Sequence, residues 1–283
     1  MALPQLPFAL KNNTLVDIND VSSGLACNCT CPGCGEPLIA KKGEKKVHHF
    51  AHKPESNCST GLETALHLKA KDILKNACQF MVPEVRIKNG PTPLFDAQVI
   101  DYDKVILEKK TGNIIPDLRI RSGNKWLLIE IAVRHFTGKE KIKRLRRLGH
   151  AAIEIDAAAL LNRIQKGQQF FQFHRFANFL LFSAKYKKWL FNPRQKQIEN
   201  DLISSATKKT VKELSFSHKK IYLTENCPLD KNTYRHGYKT GTSYANVFRD
   251  CLNCEQCIGI QYEKHFFGSR EVNGRPERVV CVG

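Results

Sequence analysis

Residues 127–133 read Leu-Leu-Ile-Glu-Ile-Ala-Val, an apolar run of strand length with a single carboxylate, Glu130, inside it. A buried carboxylate is costly unless a cation or hydrogen-bond donors compensate its charge. A second predicted strand begins with Ile-Ile-Pro-Asp at residues 114–117 and supplies Asp117 as a partner. Carboxylate oxygens are preferred ligands of Mg²⁺ and Mn²⁺, and such an ion polarises a phosphate group and activates water. The two strands therefore predict a divalent-metal site held by Asp117 and Glu130.

The segments around these strands predict an α/β fold. A strand at residues 125–133, a basic helix at 139–148 and a strand at 151–156 favour parallel pairing of the two strands. Shorter apolar runs between turn signals predict four further strands, at residues 84–88, 94–102, 104–108 and 114–121. Residues 157–200 are predicted to be mainly helical, and residues 204–217 to be a connector. We therefore expect a mixed sheet flanked by helices.

A predicted helix over residues 61–77 carries polar groups that suit the same site. Glu63, His67 and Lys71 are spaced by four residues, so they lie on one helix face. In the alternative interpretation, Glu63 forms a capping box with Thr60. The carboxylates of the strands also have a structural alternative, in which Asp117 marks a strand end and Glu130 pairs with a cation such as Arg119.

An N-terminal cysteine and histidine block has the spacing of a zinc site. Cys31-Pro-Gly-Cys34 and His49-Phe-Ala-His52 are two ligand pairs, and predicted strands at residues 37–41 and 46–49 would bring them together. Zinc prefers four nitrogen or sulfur ligands in a tetrahedron. The predicted ligands are therefore Cys31, Cys34, His49 and His52. Other candidates remain open, since the block also contains Cys27, Cys29, His48 and Cys58.

A C-terminal block contains the run Cys251-x2-Cys254-x2-Cys257, flanked by Cys227 and Cys281. We predict a second zinc site with Cys227, Cys251, Cys254 and Cys281 as ligands and Cys257 as a possible substitute. The alternative is a set of buried free thiols. Both zinc sites are expected to be structural, because a catalytic zinc keeps an open coordination position and four protein ligands leave none.

The charge balance points to a polyanionic partner. The chain has 45 Lys and Arg against 27 Asp and Glu, a formal net charge of +18. Such a surface suits nucleic acid or an acidic membrane. Two basic stretches, residues 134–147 and 163–196, are predicted to bind nucleic acid. The second stretch is also rich in aromatic residues, most of which are expected to pack in the core. The residues chosen from them are Lys139, Lys143, Arg144, Arg146, Arg147, Lys185, Lys187 and Lys188.

The chain is expected to be cytoplasmic and without a membrane partner. Its N-terminal residues lack the basic start of a secretory signal, and its longest apolar stretch, residues 176–184, is too short for a membrane span. Eleven cysteines in such a chain favour metal ligation over disulfides.

The chain resembles the CoiA-like competence protein family, with its PD-(D/E)xK nuclease-like core, over roughly residues 1–157. The resemblance is carried by CPGCGEPLIAKKG, HHFAH, ETALHLKAK, IIPDLRI, and LLIEIAV followed by RHF. It implies that Asp117 and Glu130 are the acidic metal ligands and that Glu63 and His67 assist from the first core helix. The family's catalytic lysine would fall on residue 132, which is Ala132 here. Lys141 is the best replacement, with His135 as an alternative proton acceptor.

These inferences predict four segments. They are an N-terminal zinc module (1–60), a nuclease-like core (61–157), a basic aromatic helical region with its connector (158–215), and a C-terminal zinc module (216–283). The predicted function is Mg²⁺- or Mn²⁺-dependent DNA cleavage in DNA uptake and recombination or in processing of foreign DNA, with DNA and recombination or defence proteins as partners. The alternative is a non-catalytic DNA-binding or recombination-mediator protein that retains the nuclease-like fold.

Overall fold

The computed structural model describes residues 4–86, 93–168, 170–216, 219–235, 238–263, 265–266 and 274–281. The strands in these ranges are β1 Phe8–Lys11, β2 Thr14–Asp17, β3 Gly24–Thr30, β4 Pro37–Lys41, β5 His49–Ala51, β6 Gln79–Val82, β7 Val85–Arg86, β8 Pro93–Phe95, β9 Gln98–Asp101, β10 Lys104–Leu107, β11 Leu118–Ser122, β12 Lys125–Ala132, β13 Ala151–Asp156, β14 Lys187–Phe191, β15 Thr207–Phe216, β16 Lys219–Glu225, β17 Asn232–Arg235, β18 Tyr238–Asn246, β19 Cys257–Tyr262, β20 His265–Phe266 and β21 Pro276–Cys281. The helices are α1 Gly61–Asn76, α2 Lys139–Leu148, α3 Ala157–Gln165, α4 Phe173–Phe182 and α5 Pro193–Ser205, with 3₁₀ turns at Ile18–Asp20 and Cys251–Asn253.

The chain forms two compact units. The first contains residues 1–83 and 97–193, and the second contains residues 84–96 and 194–283. The predicted zinc module at residues 1–60 and the predicted core at 61–157 thus contribute mainly to one unit, with only the short segment 84–96 placed in the other. None of the helices in the described ranges combines the length and apolar composition that a membrane span requires.

A five-stranded sheet in the first unit has the order β10-β11-β12-β13-β14. Strands β12 and β13 are parallel, as predicted, and the other neighbouring pairs are antiparallel. The parallel pairing follows from α2, which connects the two strands as a crossover helix. Residues from α1, α3 and α4 pack with one side of this sheet, and Leu145 of α2 packs with the other. This is the expected mixed α/β arrangement.

Strand β12 is almost continuously apolar because both faces of the sheet are covered at this strand. Its last six residues are all buried, and those around Glu130 alternate between two apolar clusters. Ile129 and Ile131 belong to the larger cluster, whereas Leu128 contacts the α2 side. A strand covered on both faces loses the alternation of apolar and polar residues that marks a half-exposed strand.

A second sheet of the first unit precedes α1 and has the order β2-β1-β3-β4-β5. Its first hairpin turns at Asn12 and Asn13, which both have positive φ angles (51° and 60°). Asparagine tolerates this conformation, which two-residue hairpin turns require. Strands β6 and β9 form a separate antiparallel pair.

The second unit contains a sheet with the order β17-β18-β16-β15-β21-β19-β20 and the pair β7-β8. Its core combines cysteines with apolar residues such as Val247 and Val279. One prediction of local structure was wrong. The predicted connector at residues 204–217 largely forms β15, which pairs with both β16 and β21. Residues 157–200 are mainly helical, as predicted, and also contain β14, whose Lys-Lys-Trp-Leu-Phe sequence suits a half-buried strand.

Candidate metal centre and carboxylate site

Asp117 lies immediately before β11 and is held from two directions. Its Oδ2 accepts a hydrogen bond from the Ile131 backbone N–H at 2.7 Å, while its Oδ1 lies 3.3 Å from His67 Nδ1 and 3.6 Å from Lys71 Nζ. Burial raises the pKa of this carboxyl, but His67, the Ile131 N–H and Lys71 outweigh it, so the pKa is lowered from 3.8. Asp117 is therefore a charged group at neutral pH, shared between α1 and β12.

Glu130 is buried in the middle of the sheet and faces Lys141 of α2. Lys141 Nζ lies 2.7 Å from Glu130 Oε2 and also donates to the Ile115 carbonyl oxygen at 3.3 Å. Burial raises the pKa of Glu130 above 4.5; Lys141 opposes this shift, and the charges of Asp117 and Glu154 add to it. In the described part of the chain, Glu130 Oε1 is buried without a hydrogen-bond partner. One oxygen of this carboxylate is thus paired and the other is free.

Glu154 is a third acidic residue at this site, and it was absent from the predicted set. The parallel register places it directly beside Glu130, and its side chain is only 1% exposed. Its Oε1 accepts a hydrogen bond from the Thr137 backbone N–H, and its Oε2 lies 2.6 Å from Lys188 Nζ. The signal for it was the repeated Ile-Glu-Ile sequence at residues 129–131 and 153–155, once the two strands are paired in register.

The remaining residues predicted for this site have separate environments. Glu63 lies in the first turn of α1, where Thr60 makes no side-chain capping bond. Glu63 makes no hydrogen bond or ion pair with any residue that the structure describes, so neither the capping box nor contact with Asp117 is seen. The alternative partner of Glu130, Arg119, instead stacks over Trp126 at 4.7 Å. His135 is exposed.

The N-terminal ligand cluster consists of Cys31, Cys34, His52 and Cys58, whose ligand atoms all lie within 4.8 Å of one another. Cys34 Sγ is 3.3 Å from His52 Nε2, and Cys31 Sγ is 3.8 Å from Cys58 Sγ. Three thiols and one imidazole are a suitable donor set for tetrahedral zinc. The cluster is therefore compatible with a structural zinc ion.

This cluster differs from the predicted ligand set in one member, because Cys58 stands where His49 was expected. His49 Nδ1 instead lies 2.8 Å from the Val47 carbonyl oxygen. The reason is local: His49 begins β5, and residues three apart along an extended chain point to opposite faces. His49 and His52 therefore diverge. Cys58 enters from the segment that leads into α1.

Helix α1 begins directly against this cluster. A Cβ atom placed on Gly61, its first residue, would lie 2.7 Å from Cys31 Sγ. Burial raises the pKa of the Cys58 thiol, but hydrogen bonds from Cys34, Cys31 and the backbone N–H groups of Thr60 and Gly61 outweigh it and lower that pKa from 9.0. The first turn of α1 thus favours a thiolate at Cys58, as expected at the positive end of a helix.

Gly61→Ala is expected to weaken the cluster, although alanine favours helices over glycine by about 1 kcal/mol. The added methyl must displace Cys31 Sγ, and such overpacking costs about 1–3 kcal/mol. We expect a lower melting temperature and a lower zinc content, measured by thermal unfolding and elemental analysis. Gly43→Ala is the control, since a Cβ there meets nothing within 4 Å. Equal zinc content and stability in the two variants would contradict this account.

The C-terminal cysteines are also brought together, less tightly. Cys227, Cys251, Cys254, Cys257 and Cys281 line one small cavity of the second unit. Within the described ranges, only the N-terminal cluster has three or more ligand atoms within 4.8 Å of one another. All eleven cysteines of the chain are free of disulfides.

The basic residues predicted to bind nucleic acid fall into two groups. Those of α2 are exposed along one helix: Lys139, Lys143, Arg144, Arg146 and Arg147. Lys185 and Lys188 are exposed too, and Lys188 is paired with Glu154. Lys187 is different, because it is 7% exposed and its Nζ donates to the carbonyl oxygens of Met81 and Leu181. Burial lowers its pKa to about 7. Its side chain is therefore not available to a nucleic-acid phosphate, contrary to the prediction.

One family model matches a segment of the N-terminal part of the chain. Residues 19–61 match the family model described as competence protein CoiA, N-terminal domain, which confirms the resemblance in this segment. The matched segment contains all four cluster residues, from Cys31 to Cys58, and ends at Gly61, so it includes none of the buried carboxylates. No curated protein and no solved structure matches the chain significantly.

Proposed function

We propose that the protein is a Mg²⁺- or Mn²⁺-dependent DNA nuclease whose active site is formed by Asp117, Glu130 and Lys141. The observation that carries this proposal is the 2.7 Å contact between Lys141 Nζ and Glu130 Oε2. A nuclease of this type needs a lysine beside the acidic pair, to orient water and to offset developing negative charge. The strand itself offers only Ala132, and α2 places a lysine ammonium at the carboxylate instead.

The acidic residues suit a hard divalent cation. Glu130 Oε1 is a buried oxygen without a donor among the described residues, and Asp117 carries a charge at neutral pH because its pKa is lowered. Asp117 and Glu130 would hold the ion, which would polarise a phosphodiester and lower the pKa of a bound water. Glu154, beside Glu130 in the sheet, adds negative charge to the same place. Glu63, in the first turn of α1, would assist only indirectly.

The residues of the two flanking helices have complementary roles in this proposal. Lys141 orients the attacking water and balances the charge that develops on the phosphate. His67, 3.3 Å from Asp117, keeps that carboxylate ionised and in position. The exposed cations of α2, including Arg144 and Arg147, draw the DNA backbone toward the same edge of the sheet. DNA is thus the expected partner, with recombination or defence proteins as further partners in the cytoplasm.

The biological setting follows from the N-terminal match. A segment like the N-terminal domain of competence protein CoiA supports a role connected with competence, that is, DNA uptake and recombination, with processing of foreign DNA as the variant setting. The N-terminal cluster has a structural role in this proposal, since four protein ligands leave no open position for a substrate.

A non-catalytic DNA-binding or recombination-mediator protein is the second candidate. It is favoured by Ala132, which removes the lysine from its usual position, and by the cations that already neutralise the acids. Lys71 and Lys141 pair with Asp117 and Glu130 respectively. In this alternative the ion pairs only stabilise the sheet, and the basic face of α2 binds DNA without cutting it.

The experiment that separates the two candidates uses the purified full-length chain with labelled single- and double-stranded DNA. Cleavage is expected with Mg²⁺ or Mn²⁺ and not with EDTA. Lys141→Met is expected to reduce the rate about 100-fold or more, the usual cost of removing one group that stabilises developing charge. Lys75→Met, an exposed position at the end of α1, is the control.

Two other outcomes are informative. DNA binding that weakens with salt, without cleavage in any metal, would establish the non-catalytic candidate. If the protein neither cleaves DNA nor binds it in a salt-sensitive way, both candidates are excluded. A zinc-stabilised protein-binding module then remains.

A further inference from the structure

The cysteines of the second unit come from three separate parts of the chain and meet in one place. Cys227 follows β16, Cys251 opens a 3₁₀ turn, and Cys254 ends that turn. Cys257 and Cys281 are direct partners in the antiparallel pair β19–β21. All five line the same small cavity. Sequence-distant thiols converging in a core are unlike the scattered packing of ordinary buried cysteines.

The turn between Cys251 and Cys254 has the form of a ligand knuckle. The Cys254 N–H donates to the Cys251 carbonyl oxygen at 3.1 Å, and the Cys257 N–H donates to the Cys254 carbonyl oxygen at 3.1 Å. These bonds form a tight turn that allows the thiols of Cys251 and Cys254 to bind the same ion. The N-terminal cluster uses the same spacing in Cys31-Pro-Gly-Cys34.

We propose that Cys227, Cys251, Cys254 and Cys281 form a second structural zinc site, and that Cys257 is not a ligand. These four cysteines all line the same cavity and belong to the apolar core of the second unit. A tetrahedral zinc ion, with zinc–sulfur distances near 2.3 Å, would draw these four sulfurs closer together. Lys209, which also lines the cavity, would partly offset the charge of four thiolates.

The contacts of Cys257 separate it from the other four. Its Sγ donates to the Gly259 carbonyl oxygen at 3.7 Å, a side-chain bond to the backbone that none of the other four thiols makes among the described residues. The Cys257 thiol is thus already engaged by the backbone of β19, at the position directly opposite Cys281. Cys257 is therefore the one of the five that we leave outside the ligand set, as an outer partner of the site.

Metal content of the full-length protein tests this inference without reference to nuclease activity. Protein purified without chelators is expected to hold about two zinc ions per chain, one for each four-ligand set. Cys251→Ser is expected to reduce this to about one, while Cys257→Ser keeps about two. Elemental analysis against protein concentration gives these values.

X-ray absorption at the zinc edge of the wild-type protein provides a second measurement that no folding defect affects. A three-sulfur, one-nitrogen site together with a four-sulfur site gives an average of about 3.5 sulfurs per zinc. One zinc per wild-type chain, or an average of three sulfurs, would overturn the second site. Equal zinc loss in Cys257→Ser and Cys251→Ser would overturn the choice of ligands.

Discussion

Glu130→Gln is expected to abolish DNA cleavage while leaving the protein folded and at least as stable as the wild type. Removal of the carboxylate takes away a ligand of the divalent ion, whose stabilisation of the transition state is worth several kcal/mol. Each 1.36 kcal/mol is a factor of ten in rate, so the expected loss is about 1,000-fold or more. Glu44→Gln, an exposed position in the first unit, is the control.

The stability part of this prediction follows from the raised pKa of Glu130. A carboxyl whose pKa is higher in the folded than in the unfolded state binds more protons when folded. Its ionisation therefore destabilises the fold as pH rises through the unfolded and then the folded pKa. Glutamine removes this cost at neutral pH, and Lys141, which is 35% exposed, stays solvated and keeps its bond to Ile115.

Cleavage rate and melting temperature measured on the same preparations check both parts. Loss of cleavage with an unchanged or higher melting temperature at neutral pH is the expected pair of results. Any difference in melting temperature between Glu130→Gln and the wild type should shrink at lower pH, where Glu130 of the wild type becomes protonated. Full activity in Glu130→Gln would remove this residue from the active site.

Cys31→Ser is expected to give the largest loss of stability of any single substitution in the first unit. Cys31 is 1% exposed, and its thiol lies between Cys58 and the start of α1. Structural zinc contributes directly to folding free energy, and a loss of about 3 kcal/mol or more is expected when one ligand is removed. For a unit of this size that corresponds to a fall in melting temperature of about 10 °C.

Cys78→Ser is the matched control, because Cys78 is an exposed cysteine outside the cluster. Thermal unfolding and zinc content should be measured together, with and without a chelator. The chelator should destabilise the wild type and the Cys78 variant but have a much smaller effect on Cys31→Ser. Equal stability of the two cysteine variants would show that the cluster does not hold the fold together.

Local patterns predicted the elements around the carboxylate site well. The helix at residues 139–148 and the strand at 151–156 have the predicted bounds, and the parallel pairing is present. Glu154 was missed because its position beside Glu130 depends on strand register, and the repeated Ile-Glu-Ile sequence points to it only when the two strands are aligned. Lys187 was misassigned because its charge suggested solvent, while two backbone carbonyl oxygens and the Phe80 ring compensate its burial.

The N-terminal ligand set shows the same limit in another form. The spacing of His49 and His52 suits a turn, but the chain is extended at His49, so only one of the two side chains reaches the cluster. Cys58 is far from Cys31 in sequence and has no paired spacing, so only the return of the chain into α1 identifies it. Spacing predicts ligands that share one turn and fails for those joined by tertiary contact.

Helix α1 gives the protein a rigid connection between two chemically different places. It starts with Gly61 against the cysteine cluster and, two to three turns later, presents His67 and Lys71 to Asp117. At 1.5 Å per residue, the distance along the helix from Gly61 to Lys71 is about 15 Å. Thermodynamic coupling between two sites is reciprocal. A ligand that draws Lys71 away from Asp117 should therefore alter the affinity of the cysteine cluster for zinc. Zinc should in turn alter the affinity of the Asp117 site for that ligand by the same factor.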